Sequence, residues 1–187
     1  MAAHDEVRDA QRSAWAGLSA GWARWDDVIM DQLGPVTTTM IERLGIDVDQ
    51  HHLDVASGTG EPGLAIAEIA TDGRVVLTDL APEMLEIARR RAGARGIANV
   101  EAHVCSADDL PFDDATFDSV SIRFGYMFLP DLAAATSELV RVLRPGGRLC
   151  ASVWIRPEDN PWTSIVMNAI AAEHPLPTPD PEAPSMF

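Results

Sequence analysis

Three glycines, Gly58, Gly60 and Gly63, follow a short, mostly apolar stretch at residues 53–56 and precede a segment with the apolar spacing of a helix. Glycine lacks a Cβ and adopts positive φ readily, so such a loop allows the backbone to approach a ligand closely. The helix that follows turns free N–H groups and its positive dipole end towards the same place. These residue types in this order predict a binding site for a nucleotide-type cofactor.

The residues that flank the glycines distinguish two classes of cofactor. A dinucleotide-binding fingerprint has the same glycines and an acidic residue about 20 positions further on. Asp79 stands near that spacing from Gly58, and its carboxylate can accept hydrogen bonds from ribose hydroxyls, which both classes carry. Asp54, however, precedes the glycines at a place where its charge would repel a pyrophosphate. The segment 80–85, with Pro82 at a helix start, offers apolar contacts to a base.

Further motifs follow in a fixed order. The chain carries Asp54-x-Ala56-x-Gly58-x-Gly60, then residues 78–85, residues 110–112 with 117–118, and residues 143–147. In order and spacing, through about residues 45–155, they resemble successive motifs of class I S-adenosylmethionine-dependent methyltransferases. The closest resemblance is to ubiquinone/menaquinone biosynthesis C-methyltransferases (the methyltransferase type 11 group), through Phe124-Gly125. Those quinone enzymes carry an Arg-Asn pair where this chain has Met127-Phe128, so the resemblance does not extend to a quinone substrate.

The resemblance implies S-adenosyl-L-methionine as cofactor and S-adenosyl-L-homocysteine as its product. It implies the following cofactor-binding residues: Asp54, Ala56, Gly58, Thr59, Gly60, Asp79, Leu80, Met84, Ser106, Ala107, Asp108 and Arg123. In the family an Asp-Ala pair after the third strand binds the adenine amino group. Alignment from residues 110–112 places Ser106 at that Asp, with the Ala107 N–H available to the ring and Asp108 as a substitute through a shifted loop. Arg123 either orients an anionic substrate or pairs with a nearby acid.

The elements that must position these residues alternate between strands and helices. We predict strands at residues 53–56, 75–78, 100–105, 117–123 and 148–154. We predict helices at residues 6–30, 31–44, 61–70, 82–95, 131–143 and 161–174, the last two with Asp131 and Asn160 as N-caps. This alternation predicts an α/β fold with a parallel twisted sheet, helices on both faces and a ligand over the carboxyl ends of the strands.

The resemblance implies a Rossmann-like class I methyltransferase fold of seven strands, of which we count five. We therefore expect the last two strands to be absent, and we interpret the chain as a fragment; a stop codon directly after Phe187 in the genome would contradict this. We predict an N-terminal helical cap at 1–45, a cofactor-binding core at 46–156, and a helix with a Pro-rich tail at 157–187. An uncovered edge at Leu149–Val153 would invite pairing with another chain, for example as a homodimer.

Large apolar residues recur in the N-terminal segment at steps of three and four: Trp15, Leu18, Trp22, Trp25 and Ile29. This stripe indicates either plain packing of a helix on the sheet or a lid over the cofactor. An aromatic face would attract a sulfonium cation. As a lid, the helix would bring Trp22, Arg24 or Trp25 to the sulfonium or to the methionine carboxylate. As substrate contacts we expect Trp22, Trp25 and Tyr126.

Charge and composition disfavour several classes of partner and cellular location. The 187 residues carry 29 acidic and 14 basic side chains, a net charge of −15, which would repel a nucleic-acid backbone. There is no run of 18 apolar residues, and the first residues lack the pattern of a signal peptide, so we expect a cytoplasmic protein without a membrane span. Cys105 and Cys150 have neither metal nor redox spacing and are typical of reduced thiols, and no metal site is predicted.

The leading hypothesis is transfer of the sulfonium methyl group, by in-line displacement, to carbon, oxygen or nitrogen of a small hydrophobic metabolite. Alignment of the reactants alone contributes about 7–11 kcal/mol to such a reaction. No histidine is convincingly placed as a base, so the catalytic residues are unknown. Two alternatives stay open: a catalytically incomplete cofactor-binding module that dimerises, and an NAD-dependent oxidoreductase, which Asp54 disfavours.

Overall fold

The computed structural model describes residues 2–156 and 159–175. The strands are β1 (His51–Val55), β2 (Arg74–Asp79), β3 (Val100–Val104), β4 (Phe117–Arg123) and β5 (Leu143–Ser152). The helices are α1 (Ala2–Leu44), α2 (Gly63–Ile69), α3 (Pro82–Ala94), α4 (Leu132–Val142) and α5 (Pro161–Glu173), with a 3-10 turn at Tyr126–Phe128. None of the described helices is long and apolar enough to cross a membrane. The Pro-rich tail predicted after residue 175 lies outside the described residues.

The five described strands form one parallel sheet in the order β3-β2-β1-β4-β5. The chain runs outward from β1 to β3, then returns to the other side of β1 and runs outward again through β4 and β5. The direction of winding therefore reverses between β1 and β4, and a crevice opens there above the carboxyl ends of the strands. The predicted α/β fold with a parallel sheet is confirmed.

Two hydrophobic clusters hold helices against opposite faces of this sheet. The first joins α4 to β1 and β4, and its buried members include Leu53, Val55, Phe117, Val120, Ile122, Ala135, Leu139 and Val142. The second joins α2, α3 and the end of α1 to β2, and its buried members include Leu44, Leu64, Ile66, Val75, Leu77, Leu85 and Ala88. Burial of apolar side chains on both faces is typical of a parallel sheet that helices cover on either side.

A buried row of polar side chains crosses β1 and β4. His52 Nδ1 lies 2.7 Å from Ser119 Oγ, and its Nε2 lies 2.9 Å from Ser121 Oγ. Ser121 in turn donates to Asp54 Oδ1 over 2.6 Å. A neutral imidazole donates from one nitrogen and accepts at the other. Because the Ser121 proton is given to Asp54, the His52 hydrogen lies on Nε2 and Nδ1 accepts.

Helix α1 corrects the prediction of two helices, at 6–30 and 31–44, because it is continuous from Ala2 to Leu44 with Pro35 inside it. Proline disfavours a helix interior by removing an N–H and crowding the preceding turn. The helix continues through Pro35 because the structure holds it on both sides. Asp26 is ion-paired on one side, and Met40 and Leu44 are buried in the core on the other.

The Asn160 prediction was right in position and wrong in mechanism. Asn160 is the N-cap residue of α5, but its side chain makes no capping bond. Its amide instead donates to the carbonyl oxygens of Ile155 and Arg156 in the preceding segment. Asp131, by contrast, caps α4 as predicted by accepting from the Ala134 N–H over 2.9 Å. The division into segments 1–45, 46–156 and 157–187 stays a prediction.

The buried imidazole generates a prediction on stability. Burial lowers the pKa of His52 from 6.5 to about 3, so below pH 6.5 the unfolded chain binds a proton that the folded chain does not. The free energy of unfolding therefore falls as the pH drops from 6.5 towards 3, by up to about 1.4 kcal/mol per pH unit for this group. In His52→Gln the free energy of unfolding should lack this pH-dependent contribution.

The measurement is urea unfolding of the wild type and His52→Gln at pH 7, 6 and 5. Asp54, whose pKa burial raises to about 7, contributes in the opposite direction between pH 3.8 and 7. The quantity of interest is therefore the difference between the two proteins. His51→Gln leaves the buried ring in place and should retain the wild-type slope. Parallel curves for the wild type and His52→Gln would contradict the prediction.

Candidate functional site

A cavity of about 280 Å³ lies above the carboxyl ends of the strands. Segments that follow all five strands line it, and α1 closes one side. This is where the reversal of winding predicts a ligand, and the volume is at the lower end of the range of about 300–1,000 Å³ for small-molecule pockets.

Asp54 holds the glycine loop in place from beneath the cavity. The residue is fully buried, and its Oδ2 accepts from the Gly63 N–H over 3.0 Å while Oδ1 accepts from Ser121. Burial raises the pKa of Asp54 to about 7, although both hydrogen bonds favour the charged form. A Cβ on Gly63 would collide with the Leu77 side chain and lie 2.9 Å from Asp54 Oδ2, so this turn accommodates only glycine. Asp54 thus fixes the loop and does not itself line the cavity.

Asp79 lies in the cavity wall at the end of β2. Its Oδ2 accepts from the Gly58 N–H and its Oδ1 from the Ala81 N–H, each over 2.9 Å. Burial raises the pKa of Asp79, and the backbone bonds oppose this shift. The two bonds clamp the glycine loop to the start of α3, so the carboxylate is held rigidly at the edge where ribose hydroxyls were predicted to bind.

Most of the residues that the sequence predicted meet at this cavity. Its lining includes Trp22, Ala56, Gly58, Thr59, Asp79, Leu80, Met84, Ser106, Ala107 and Arg123. Gly58, with φ of 54°, has open space where a Cβ would point. These residues come from five separate segments, so the fold brings together what the sequence keeps apart.

The structure does not bring the remaining predicted residues to the cavity wall. Gly60 packs against Leu64, since a Cβ there would lie 2.7 Å from its side chain. Asp108 accepts from Arg8 over 2.9 Å and from the Ser106 hydroxyl, so its carboxylate turns towards α1. Asp54 lies beneath the loop, as described above.

Two predicted substrate contacts also point elsewhere. Trp25 is 56% exposed, and the Arg24 guanidinium lies 5.4 Å from the centre of its ring. The Tyr126 hydroxyl is hydrogen-bonded to Thr136 of α4, and its ring packs on the cluster beneath that helix. The predicted apolar stripe on α1 does not lie in one environment. Trp15 and Trp22 line the cavity, whereas Leu18 is 52% exposed.

Arg123 joins α1 to the glycine loop. Its Nε donates to the Glu61 carbonyl oxygen over 3.1 Å, and its terminal nitrogens lie 3.3 Å from Thr37 Oγ1 and from Met30 Sδ. Burial lowers the pKa of this guanidinium, although neighbouring carboxylates oppose the shift. The group therefore places a positive charge at the cavity and fixes α1 at the same time.

Aromatic rings from α1 and from the segments after β4 and β5 form another part of the cavity wall. Trp15 meets Phe128 edge-on with ring centres 5.5 Å apart, and its ring lies 6.2 Å from that of Trp22. Phe124 and Trp154 stack with centres 4.5 Å apart. Phe124, Phe128 and Trp154 were not assigned to the site from the sequence. Their positions directly after β4 and β5 are the signal that could have identified them, since cavity residues follow strand ends.

Ser57 is a further lining residue that was not identified from the sequence. It is 4% exposed, and its Oγ has no hydrogen-bond partner among the described residues. Buried hydroxyls are nearly always hydrogen-bonded, so this one can bond a polar group of a ligand in the cavity. Together with Arg123, Asp79 and apolar Leu80 and Met84, the lining fits a nucleoside cofactor with a charged amino-acid end.

Comparison with known proteins gives a consistent family. The model of the ubiE/COQ5 methyltransferase family matches residues 20–164. The ubiquinone/menaquinone biosynthesis C-methyltransferase UbiE of Brucella anthropi is 40% identical over 137 residues, covering 71% of this chain and 49% of the relative. An uncharacterised protein of Mycobacterium tuberculosis is 38% identical over 143 residues, covering 76% and 49%. The chain thus spans about half the length of the curated relatives it matches.

A solved structure agrees with the fold. The YcgJ protein of Bacillus subtilis superimposes with a TM-score of 0.62 at 26% identity, covering 79% of this chain and 60% of the other. The Rossmann-like arrangement predicted from the motifs is therefore confirmed.

The unpartnered hydroxyl generates a prediction. Ser57→Ala removes one buried oxygen that has no partner within the described residues, so the melting temperature should stay unchanged or rise. Calorimetric titration should show S-adenosylhomocysteine binding about 10-fold more weakly, the effect of one hydrogen bond worth about 1.4 kcal/mol. Ser152→Ala is the matched control, because its Oγ is also buried and unpartnered but lies outside the cavity lining. Unchanged affinity in Ser57→Ala would refute the assignment.

Proposed function

The chain belongs to the ubiE/COQ5 methyltransferase family, and we propose that it transfers a methyl group from S-adenosylmethionine to a small hydrophobic acceptor. The family match confirms the predicted class and cofactor. It does not favour the oxidoreductase or the inactive module. The observation that carries the proposal is the cavity itself, whose wall combines the glycine loop and Asp79 with a set of aromatic rings.

The polar wall would hold the cofactor. In this proposal Asp79 accepts hydrogen bonds from ribose hydroxyls, while Leu80 and Met84 contact the base. Ser57 and Arg123 would bind the charged amino-acid end. When bound, the cofactor supplies an electrophilic methyl group on a sulfonium, and its sulfur keeps the electron pair of the broken S–C bond. The Trp22 ring would face this cation favourably.

The aromatic wall would receive the acceptor. Trp15, Phe124, Phe128 and Trp154 present flat apolar surfaces, and Met127 and Phe128 stand where the quinone enzymes carry Arg and Asn. A flat, largely apolar molecule suits such a surface, because aromatic rings pack edge-on or offset against one another. The proposal specifies the atom that accepts the methyl group only as carbon, oxygen or nitrogen.

The groups in the described cavity wall favour alignment over proton abstraction. Burial raises the pKa of the Cys105 thiol to about 11, so it stays protonated near neutral pH. Asp79 is engaged by two backbone N–H groups, Glu61 is ion-paired with Arg91 and Arg95, and Arg123 is a cation. The contribution of this chain is therefore to exclude water and to orient the two reactants, which is worth about 7–11 kcal/mol.

Two further proposals concern the assembly and location of the protein. Strand β5 is an edge of the described sheet, with Leu149 and Val153 at 39% and 49% exposure, which supports a homodimer through this edge. Leu149→Lys should then shift the sedimentation coefficient from dimer to monomer, and a monomeric wild type would contradict the proposal. The two unpaired cysteines suit a reducing compartment such as the cytoplasm, which cell fractionation would test.

The proposed function predicts selective cofactor binding and methyl transfer. By calorimetry the wild type should bind S-adenosylhomocysteine but not NAD. With methyl-labelled S-adenosylmethionine and a panel of hydroxylated naphthalenes, including 1-naphthol and 1,4-naphthoquinol, label should pass into the organic extract. Asp79→Ala should bind S-adenosylhomocysteine about 10- to 150-fold more weakly, because it loses a charged acceptor worth about 1.5–3 kcal/mol.

Asp72→Ala is the matched control, because it removes an exposed carboxylate from the opposite end of β2. It should bind and transfer like the wild type. If the folded chain binds the cofactor but transfers label to none of these aromatic acceptors, the proposed acceptor class is wrong. If it does not bind the cofactor, the proposed activity of this chain is wrong.

A further inference from the structure

The side-chain amide of Gln11 has a fixed orientation. Trp15 Nε1 donates to Gln11 Oε1 over 3.1 Å, one turn further along α1. An indole N–H can only donate, so the atom that faces it must be the amide oxygen. The amide NH₂ group of Gln11 therefore points away from Trp15.

This NH₂ group has no acceptor within residues 2–156 and 159–175, although Gln11 lines the cavity. Arg8, almost one turn earlier on α1, is ion-paired with Asp108 over 2.9 Å, which anchors this stretch of the helix. The half-buried amide therefore lies at the cavity wall as a donor that Trp15 orients.

The surroundings of this donor are aromatic. Trp15 meets Phe128 edge-on, and Trp22 stands two turns beyond Trp15 on the same side of α1. A hydrogen bond made in such surroundings discriminates strongly, since a site built to bond a polar atom rejects a ligand that lacks it. An N–H donor specifically requires an oxygen or nitrogen lone pair on the ligand.

We propose that Gln11 is a specificity-determining residue of the acceptor subsite, donating through its amide N–H to an oxygen on a flat bicyclic or aromatic acceptor. The proposal rests on the proposed function, which assigns the aromatic wall of the cavity to the acceptor. It goes beyond that function by naming the polar group that the acceptor must carry. Trp15 acts as a positioning residue, because its indole N–H orients the amide.

The test compares two probes of one shape, α-tetralone and tetralin, which share a bicyclic frame and differ by a carbonyl oxygen. Their dissociation constants are measured by ligand-observed NMR titration with S-adenosylhomocysteine present. The ratio of the tetralin constant to the α-tetralone constant should fall about 2- to 12-fold in Gln11→Leu, the effect of one neutral hydrogen bond. Comparing this ratio between the wild type and the variant cancels the difference in hydrophobicity between the probes.

Two further variants make the result specific. Trp15→Phe keeps an aromatic ring and removes the N–H that orients the amide, so the ratio should fall there as well. Gln32, which is exposed on the same helix, supplies the matched control, and Gln32→Leu should keep the wild-type ratio. Melting temperature and cofactor affinity verify that each variant is folded.

The outcomes separate the two proposals. An unchanged ratio in folded Gln11→Leu overturns the role of Gln11 and leaves the proposed function standing. Binding of S-adenosylhomocysteine without binding of either probe also overturns the role of Gln11. Failure of the folded wild type to bind S-adenosylhomocysteine overturns the proposed function itself. A ratio that falls in Gln11→Leu and Trp15→Phe but not in Gln32→Leu supports the inference.

Discussion

The buried carboxylate of Asp54 is the constraint on which the rest of the site depends. It lies at the end of β1, accepts the first N–H of α2 through Gly63, and is bonded from below by Ser121. A buried carboxylate is tolerated only when its oxygens are satisfied, so the loop cannot move far without leaving a charge unpaired. The hydrogen-bonded row of His52, Ser119 and Ser121 lies beneath Asp54 and links its carboxylate to the centre of the sheet. The shape of the glycine loop is therefore set by the sheet rather than by a ligand.

Helix α1 depends on the same loop. Asp26 of α1 accepts from Thr59 of the loop over 3.0 Å and pairs with Arg91 of α3 over 2.8 Å. Arg91 also donates to the Thr59 carbonyl oxygen. At its other end the helix is paired through Arg8 to Asp108, in the segment after β3. Partly buried charge pairs of this kind have strict geometric requirements, and here they hold an aromatic wall at a set distance from the cofactor loop.

The fold could be predicted because it follows from local rules, and most of the residues predicted to bind the cofactor line one cavity. Alternating apolar runs and turn residues determine the strands, and glycines with Asp79 at the right spacing identify a nucleoside site before any contact is known. The acceptor side could not be predicted in this way. Trp15 and Trp25 belong to the same apolar stripe of α1, and ion pairs with distant residues, of Asp26 with Arg91 and of Arg8 with Asp108, decide which side of the helix faces inward.

Tertiary contacts also explain the other differences between the sequence predictions and the structure. Tyr126 was expected to contact the substrate, but its hydroxyl is hydrogen-bonded to Thr136 of α4 instead. Asp108 was expected near adenine, and Arg8, a hundred residues earlier, draws its carboxylate away. A helix boundary was expected at residues 30–31, although packing on either side keeps α1 intact there and through the proline that follows. For Asp108 and α1 a partner far along the chain decided the outcome, and no pattern within a short window contains that partner; Thr136 is only ten residues from Tyr126 but lies on another element.

The close approach of the loops after β1 and β4 has a consequence for sequence variation. A Cβ on Gly125 would lie 2.5 Å from the Cβ of Ala56, which itself has a φ of 51°. There is therefore room for a Cβ methyl group at only one of the two positions. A lineage can place that methyl on either loop but not on both, and exchange from one loop to the other must pass through a protein with glycine at both positions. Residues 56 and 125 are thus expected to vary as a pair, although 69 positions separate them in the chain.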